Sequence, residues 1–507
     1  MSTSLKRFML KNTGLSYLGQ IYVMLAGILI MPFYLRHMGA EAYGLIGFFT
    51  AMQTWLYLLD AGLSPALARQ IAHFRGTQQH SRYTSGRLLR SFELLILPIA
   101  VLTGLAIHMG SNAIAHGWLQ ASQLDPVMIG QCISLMGLMI VLKLYATLYK
   151  SGIQGMEQHH WLNGINVFFA TLRYFGALLF ITYVSAQPLH FFLYQTLVGL
   201  LEALSFAHRA YDLMPRPRRL TGFHWRLVKP VLPFALGMSS STVLWMLQTQ
   251  LDKVLLSKAL TLQEYGYFSL VALIATGILS LTNPLVQTLL PRLTMLTAEG
   301  RMTEMRALYL NVSRLFCSVL FPMAGVIAFH GQALLHAWTG NAEAALWSGP
   351  ILVWYVLGSA LLAMSGFQFY LQYAHGQLRM HIWFGICSTA ISVPLMAYAI
   401  LTHGALGAAG VWFAVSLASL VIWPHIVHER YSPGLSFLWL SDLLRIAAMT
   451  ALGLAVGDWL LPALDGSQRI ETFIGLAGRG LLCLLLVFVS AKAVFSKPYL
   501  LDQTPSV

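Results

Sequence analysis

Fourteen stretches of some 20 apolar residues recur along the chain, near 14–35, 43–63, 91–109, 127–149, 164–186, 189–208, 232–251, 265–290, 310–330, 349–373, 382–402, 405–427, 443–461 and 473–495. A bilayer core of about 30 Å is crossed by roughly 20 residues of α-helix. Within hydrocarbon a spanning segment must satisfy its own backbone hydrogen bonds, which leaves helices for runs of this length. Hydrophobic residues make up 57% of the 507, and only 10% are charged. Soluble domains run at about 45–50% and about 25%. A soluble enzyme, a fibre and a disordered chain are excluded together, and an all-α polytopic membrane protein is expected. The first window is too long for a signal-peptide core and lacks a small-residue cleavage site, so it is expected to stay as an anchor.

The chain carries a formal charge of +13, from 31 Lys+Arg against 18 Asp+Glu. With fourteen spans, alternate loops share a side, and the side of the N-terminus collects 24 of the 31 basic residues. It includes loops 64–90, 209–229 and 291–314, with Arg314 among them. The opposite side holds Arg36, Lys253, Lys258 and Arg469, while Lys143, Arg173 and Arg479 fall within spans. The positive-inside rule places both termini in the cytoplasm. Nucleic acid is not needed to explain the charge. The cysteines Cys132, Cys317, Cys387 and Cys483 lie in apolar runs without CxxC spacing and read as small core residues. The 17 histidines are poorly arranged for metal, and His425 and His428 read as interfacial. No phosphate-binding GxxxxGK[ST] loop occurs, so ATP is not expected to power the chain directly. No metal or cofactor is expected.

The halves of the chain echo one another. Glu41-Ala42-Tyr43-Gly44 opens the second span and Gln263-Glu264-Tyr265-Gly266 the eighth. Arg69 and Arg292 follow these spans, and Gly155 and Gly376 lie in the loops after the fourth and tenth. A near-constant offset across three landmarks implies a six-helix repeat. An even repeat gives two lobes of equal orientation, related by a pseudo-two-fold axis along the membrane normal. The expected organisation is a six-helix lobe at 1–208, a basic, Pro-rich linker at 209–231, a second six-helix lobe at 232–427, and two additional helices with a tail at 428–507. Such a body suits a transporter.

Pro32-Phe33-Tyr34-Leu35-Arg36-His37-Met38-Gly39-Ala40-Glu41-Ala42-Tyr43-Gly44, then Leu58-Leu59-Asp60-Ala61-Gly62-Leu63, precede Gln250-Leu251-Asp252-Lys253, Glu264-Tyr265-Gly266 and Leu289-Leu290-Pro291-Arg292. Trp338-Thr339-Gly340 and Ala374-His375-Gly376 follow. In this order the segments resemble the polysaccharide flippases of the multidrug/oligosaccharidyl-lipid/polysaccharide exporter superfamily, over nearly the whole chain. The resemblance implies passage of undecaprenyl-diphosphate-linked oligosaccharide from the inner to the outer leaflet of the bacterial inner membrane. That unit would feed O-antigen, lipopolysaccharide, capsule or exopolysaccharide synthesis, beside a polymerase and chain-length machinery. It also implies a cavity lined by spans 1, 2, 7 and 8, to which Arg36, Gln53, Asp60, Gln250, Asp252, Lys253, Gln287 and Arg292 would contribute. Amides in membranes also commonly bond helix to helix, which is the alternative for the glutamines.

Arg173, nine residues into the fifth span, is the deepest charge. A charge there costs several kcal/mol unless it meets water, protein or a partner. It is either an anion contact in a hydrated cavity or a structural cation that pairs with Glu202 or snorkels. Lys143 has the same two readings, with Glu93 as a plausible partner, and Arg479 reads as snorkelling. The rivals are a cation-coupled drug exporter of the same superfamily and a membrane enzyme of the same pathway. The first favours twelve spans and a buried acid in the first lobe. The second needs a large catalytic external loop, whereas those near 110–126, 331–348 and 462–472 are short.

Overall fold

The computed structural model describes residues 3–60, 62–76, 82–214, 222–464 and 466–495. Arg216, Arg218, Arg219 and the prolines at 215 and 217, in the expected linker, lie outside them, as does Lys497. The described residues are overwhelmingly helical, and twelve helices are long and apolar enough to cross a membrane. The protein is a multi-pass membrane protein. Its contacts divide the chain into two compact units, Met1–Gly266 and Tyr267–Val507.

The first unit contains α1 (Thr3–Met38), α2 (Ala40–Asp60), α3 (Leu63–Gly76), α4 (Arg82–Gly117), α5 (Pro126–Gly155), α6 (His159–Thr171), α7 (Ala177–Tyr183), α8 (Pro188–Leu213), α9 (Trp225–Val228) and α10 (Leu232–Ala259). A π-helical turn, Leu172–Gly176, joins α6 to α7. The helix α11 (Leu262–Ser280) begins in this unit. The second contains α12 (Asn283–Ala298), α13 (Met302–Phe329), α14 (Gly331–Thr339), α15 (Ala342–Ala374), α16 (Arg379–Tyr431), α17 (Leu435–Leu460) and α18 (Arg469–Phe495). In unit one α5 packs along α4 and α8, and α10 along α2 and α3. In unit two α15 packs along α16, and α17 along α18.

The 53-residue α16 is broken at Gly404, whose φ of 58° and ψ of −138° need a residue without a Cβ. Its two arms match the windows 382–402 and 405–427. The 28 residues of α10 extend about 42 Å at 1.5 Å per residue, enough to cross although the helix is more polar. The fourteen expected spans thus each fall on helix. Their limits differ. The run 265–290 is interrupted between α11 and α12, while α1 passes through Pro32. Most of the segment 64–90, expected as loop, is helix in α3 and α4, and the supposed external loops 110–126 and 331–348 are largely helix in α4, α14 and α15.

The repeated Tyr-Gly segments meet at the start of α2 and α11, within the first unit. Tyr43 and Tyr265 are buried. A Cβ on Gly44 would stand 2.1 Å from the carbonyl oxygen of Leu262, and one on Gly266 would stand 2.4 Å from that of Ala40. Backbone cannot yield as a flexible side chain can. Gly44→Ala is therefore expected to lower the melting temperature of the purified protein in detergent, with a cost in the overpacking range of about 1–3 kcal/mol. Gly164→Ala, which meets nothing within 4 Å on a helix, should leave melting unchanged or raise it. Equal melting of the two variants would contradict this packing.

Several charges sit differently from the sequence expectation. Arg479 does not snorkel: it is 2% exposed, with Nε donating to Asp458 at 2.7 Å and Nη2 to the Pro462 carbonyl at 3.1 Å. Gly457 leaves room for its stem between α17 and α18. Arg314, counted as a cytoplasmic loop charge, lies buried in α13 against Asp442 of α17. His428 is buried and shares a 2.8 Å hydrogen bond with Tyr309, not interfacial. Cys387 is exposed on α16, so it is not a core residue.

Candidate functional site

The intramembrane charges of the first unit converge. Arg173 donates from Nη2 to the Glu202 carboxylate of α8, and Lys143 Nζ of α5 lies 3.9 Å from the other oxygen of the same group. Two cations share one carboxylate. Glu202 is 8% exposed, Arg173 20% and Lys143 41%. Lys143 does not pair with Glu93, as the sequence suggested. That carboxylate is taken by Arg90 one turn away at 2.6 Å and by the Tyr211 hydroxyl.

The π-helical turn presents Arg173. A wider turn replaces the regular i→i−4 ladder; the Ala177 N–H donates to the Leu172 and Tyr174 carbonyls, and side chains add further donors. Tyr194 Oη donates to the Leu172 carbonyl at 2.9 Å, and Gln195 Nε2 to that of Arg173 at 2.9 Å. Tyr34 Oη reaches the carbonyls of Arg173 and Tyr174 at 3.1 and 2.9 Å. A Cβ at Gly176 would stand 2.3 Å from Tyr194 Oη, so the tyrosine approaches only because that residue is glycine. Side chains of α1 and α8 thus hold the distorted turn on which the arginine sits.

Two adjoining cavities meet at Gln53 and Lys143. The smaller, about 10 Å³, is lined by Gln53, Lys143, Arg173, Gly199 and Glu202. The larger, about 130 Å³, is lined by Thr50, Gln53, Thr54, Asp60, Lys143 and Thr147. Asp60 also has a structural role. Its carboxylate accepts from Ser64 N at 3.2 Å and from Ser64 Oγ at 2.5 Å, capping the start of α3.

The structure therefore brings together four of the expected residues: Arg173, Lys143, Gln53 and Asp60. Of the others whose side chains are described, none lines either cavity. Arg36 is exposed at the end of α1. Lys253 Nζ donates to the Thr249 carbonyl at 2.7 Å and lies 3.5 Å from the buried Asp252. Gln250 makes a long 3.5 Å contact with Thr249 Oγ1. Arg292 is exposed on α12 in the second unit, 3.7 Å from Met295 Sδ. The Gln287 side chain lies outside the described residues. Sequence reading named Glu202 only as a pairing partner and missed Thr50, Thr54 and Thr147. Threonine on a membrane helix carries little signal, since its hydroxyl usually returns to its own backbone, as that of Thr54 does to the Thr50 carbonyl at 2.9 Å. Among the described residues no group of three His, Cys, Asp or Glu could hold a metal ion.

The sequence profile described as "Polysaccharide biosynthesis protein" matches residues 9–297. The chain belongs to that family. Solved structures show the fold. The structure titled lipid II flippase MurJ, inward closed conformation, has a TM-score of 0.73 at 13% identity and covers 96% of this chain and 100% of its own. An inward-facing multidrug resistance MATE family transporter of the MOP superfamily gives 0.59 at 14% identity, covering 85% of this chain and 95% of its own. A structure of the MATE multidrug transporter DinF-BH gives 0.57 at 13%, covering 85% and 96%. No curated protein sequence matches the chain. The chain shares its fold with these three membrane proteins.

Proposed function

We propose that the protein is a flippase that moves undecaprenyl-diphosphate-linked oligosaccharide units from the inner to the outer leaflet of the bacterial cytoplasmic membrane, for O-antigen, capsule or exopolysaccharide synthesis. The observation that carries this reading is the excess of cation over anion at the intramembrane cluster. Among the described ion pairs Lys143 and Arg173 share the single carboxylate of Glu202, while Asp60, which lines the larger cavity, is engaged with Ser64. Family membership supplies the polysaccharide, and a fold shared with a flippase of a lipid-linked molecule supports the lipid anchor. The sequence organisation into lobes at 1–208 and 232–427, with cytoplasmic termini, supports alternating access between them.

A diphosphate is prohibitively costly to strip of water in hydrocarbon without partners. Arg173 is committed to Glu202, so it positions the carboxylate. Lys143 is 3.9 Å from that carboxylate, two-fifths exposed, and lines both cavities, so its ammonium is the group available to a phosphate oxygen. Gln53, Thr50 and Thr54 offer hydrogen bonds beside it. The membrane potential, negative inside, favours outward movement of negative charge by about 2.3 kcal/mol per charge per 100 mV.

The test is complementation of a deletion strain. Deletion is expected to leave lipid-linked units in the inner leaflet and remove a surface polysaccharide. Lys143→Ala should restore less than a tenth of wild-type surface glycan at matched protein level, and Lys143→Arg most of it. Unchanged surface glycan on deletion, with raised drug sensitivity, would establish export of small molecules instead.

A further inference from the structure

A cavity of about 630 Å³ lies in the second unit. It opens among the C-terminal ends of α13 and α17, the short α14, and the starts of α15 and α18. Phe329, His330, Gln332, His336, Asp458 and Arg479 supply its chemistry. Leu464, one of the lining residues, packs together with Leu334 on an apolar cluster of Val326, Leu454, Leu476 and Cys483. Gly466 permits one wall: a Cβ there would come within 2.7 Å of the His336 Cβ.

The lining selects a ligand class. The Asp458 carboxylate is half-exposed, and Arg479 holds one oxygen at 2.7 Å while His330 Nε2 stands 3.4 Å away. The Arg479 guanidinium is directed to Asp458 and to the carbonyls of Gly475 and Pro462, which disfavours a ligand anion. Asp458 is already neutralised, which disfavours a ligand cation. An oriented carboxylate accepts well from adjacent hydroxyls, and the amide of Gln332 and the imidazoles of His330 and His336 both donate and accept. Exposed Phe329 offers an aromatic face to the C–H side of a ring. The volume lies within the roughly 300–1,000 Å³ of small-molecule sites.

We propose that this pocket binds a saccharide, one or two neutral sugar rings, on the side of the membrane opposite the basic loops. The inference rests on membership of the polysaccharide family, and not on the lipid-linked substrate or on Lys143. The sugar could belong to the transported unit or to glycan already outside, and both present the same hydroxyls.

Saturation-transfer NMR on the full-length protein in nanodiscs tests it, with two probes. One is a set of plain disaccharides (lactose, maltose and chitobiose). The other is the oligosaccharide released by mild acid from the host's own lipid-linked intermediates. Transfer to either probe is expected, falling at least fivefold in the Gln332→Ala/His336→Ala variant, whose melting in detergent, measured alongside, should stay near wild type. Lys143→Ala should retain it. Transfer to the released oligosaccharide alone assigns the pocket to the transported unit; transfer to both assigns it to glycan in general. No transfer to any probe, or transfer unchanged in the double variant, overturns the proposal. Loss in Lys143→Ala but not in the pocket variant overturns it too, by placing the sugar in the first unit.

Discussion

Glu202→Gln is expected to remove export and to lower the yield of folded protein, more severely than Arg173→Ala. Glu202 is the shared counter-charge of Arg173 and Lys143, and it is the most buried of the three. Two charges 4 Å apart interact by about 4 kcal/mol at an effective dielectric of 20. Removing the carboxylate loses both attractions and leaves two like charges facing each other. Removing Arg173 leaves Glu202 with Lys143 at 3.9 Å, so an ion pair survives. Breaking a buried pair costs about 3–5 kcal/mol, and the partial exposure of Lys143 places this site at the lower end. The double variant Arg173→Leu/Glu202→Leu should recover most of the folded yield, because the only charge it leaves unpaired at this cluster is the partly exposed Lys143. Its export shows whether Arg173 acts beyond positioning. Thermal melting by size-exclusion chromatography and surface glycan by complementation read the two effects separately. Glu202→Gln that melts and exports no worse than Arg173→Ala would refute the shared-carboxylate geometry.

The membrane architecture was legible because hydropathy acts over windows of some 20 residues, and each apolar run falls on helix. Helix ends were not. Windows mark the hydrocarbon-facing part of a helix, whereas α4 runs on to Gly117 and α15 already begins at Ala342. Apolarity falls where the helix leaves hydrocarbon, although its hydrogen-bond ladder continues. The break at Gly404 was legible because Thr402-His403-Gly404 interrupts apolarity where the backbone needs a glycine.

At the candidate site, the sequence exposed Arg173 and Lys143 because charge within an apolar run is rare and costly. Its pairing reading for Arg173 named Glu202, which is the acid opposite, but for Lys143 it pointed to Glu93 instead. Glu93 and Glu202 both sit on apolar helices, and Arg90 one turn before Glu93 was the clue that this carboxylate was already taken. The π-helical turn left no readable mark, since its cause is tertiary: Tyr34 and Tyr194 come from other helices to satisfy it. Arg36, Gln250, Asp252 and Lys253 were grouped by resemblance of order along the chain, and order does not determine which face of a helix a side chain occupies.

Asp442→Ala should be among the most destabilising single substitutions in the second unit. Arg314 Nε and Nη2 donate to Asp442 Oδ2 at 3.0 and 2.5 Å, with side-chain exposures of 3% and 9%. The two residues are 128 apart in sequence, so the pair ties α13 to α17. Without Asp442 a buried guanidinium that cannot be deprotonated loses the carboxylate that neutralises it. The cost of such a break is about 3–5 kcal/mol, a large part of the usual stability of a domain. Arg314→Met/Asp442→Leu removes both charges and fills similar volume, a replacement that is commonly neutral or stabilising by about 1–4 kcal/mol. The expected series in detergent is therefore a strongly lowered melting temperature for Asp442→Ala and for Arg314→Ala, and near wild-type melting for the double variant. Export by the double variant should also stay near wild type, since neither residue lines a described cavity. A double variant that melts normally but fails to export would mean that the pair serves the transport cycle and not only the packing of α13 on α17.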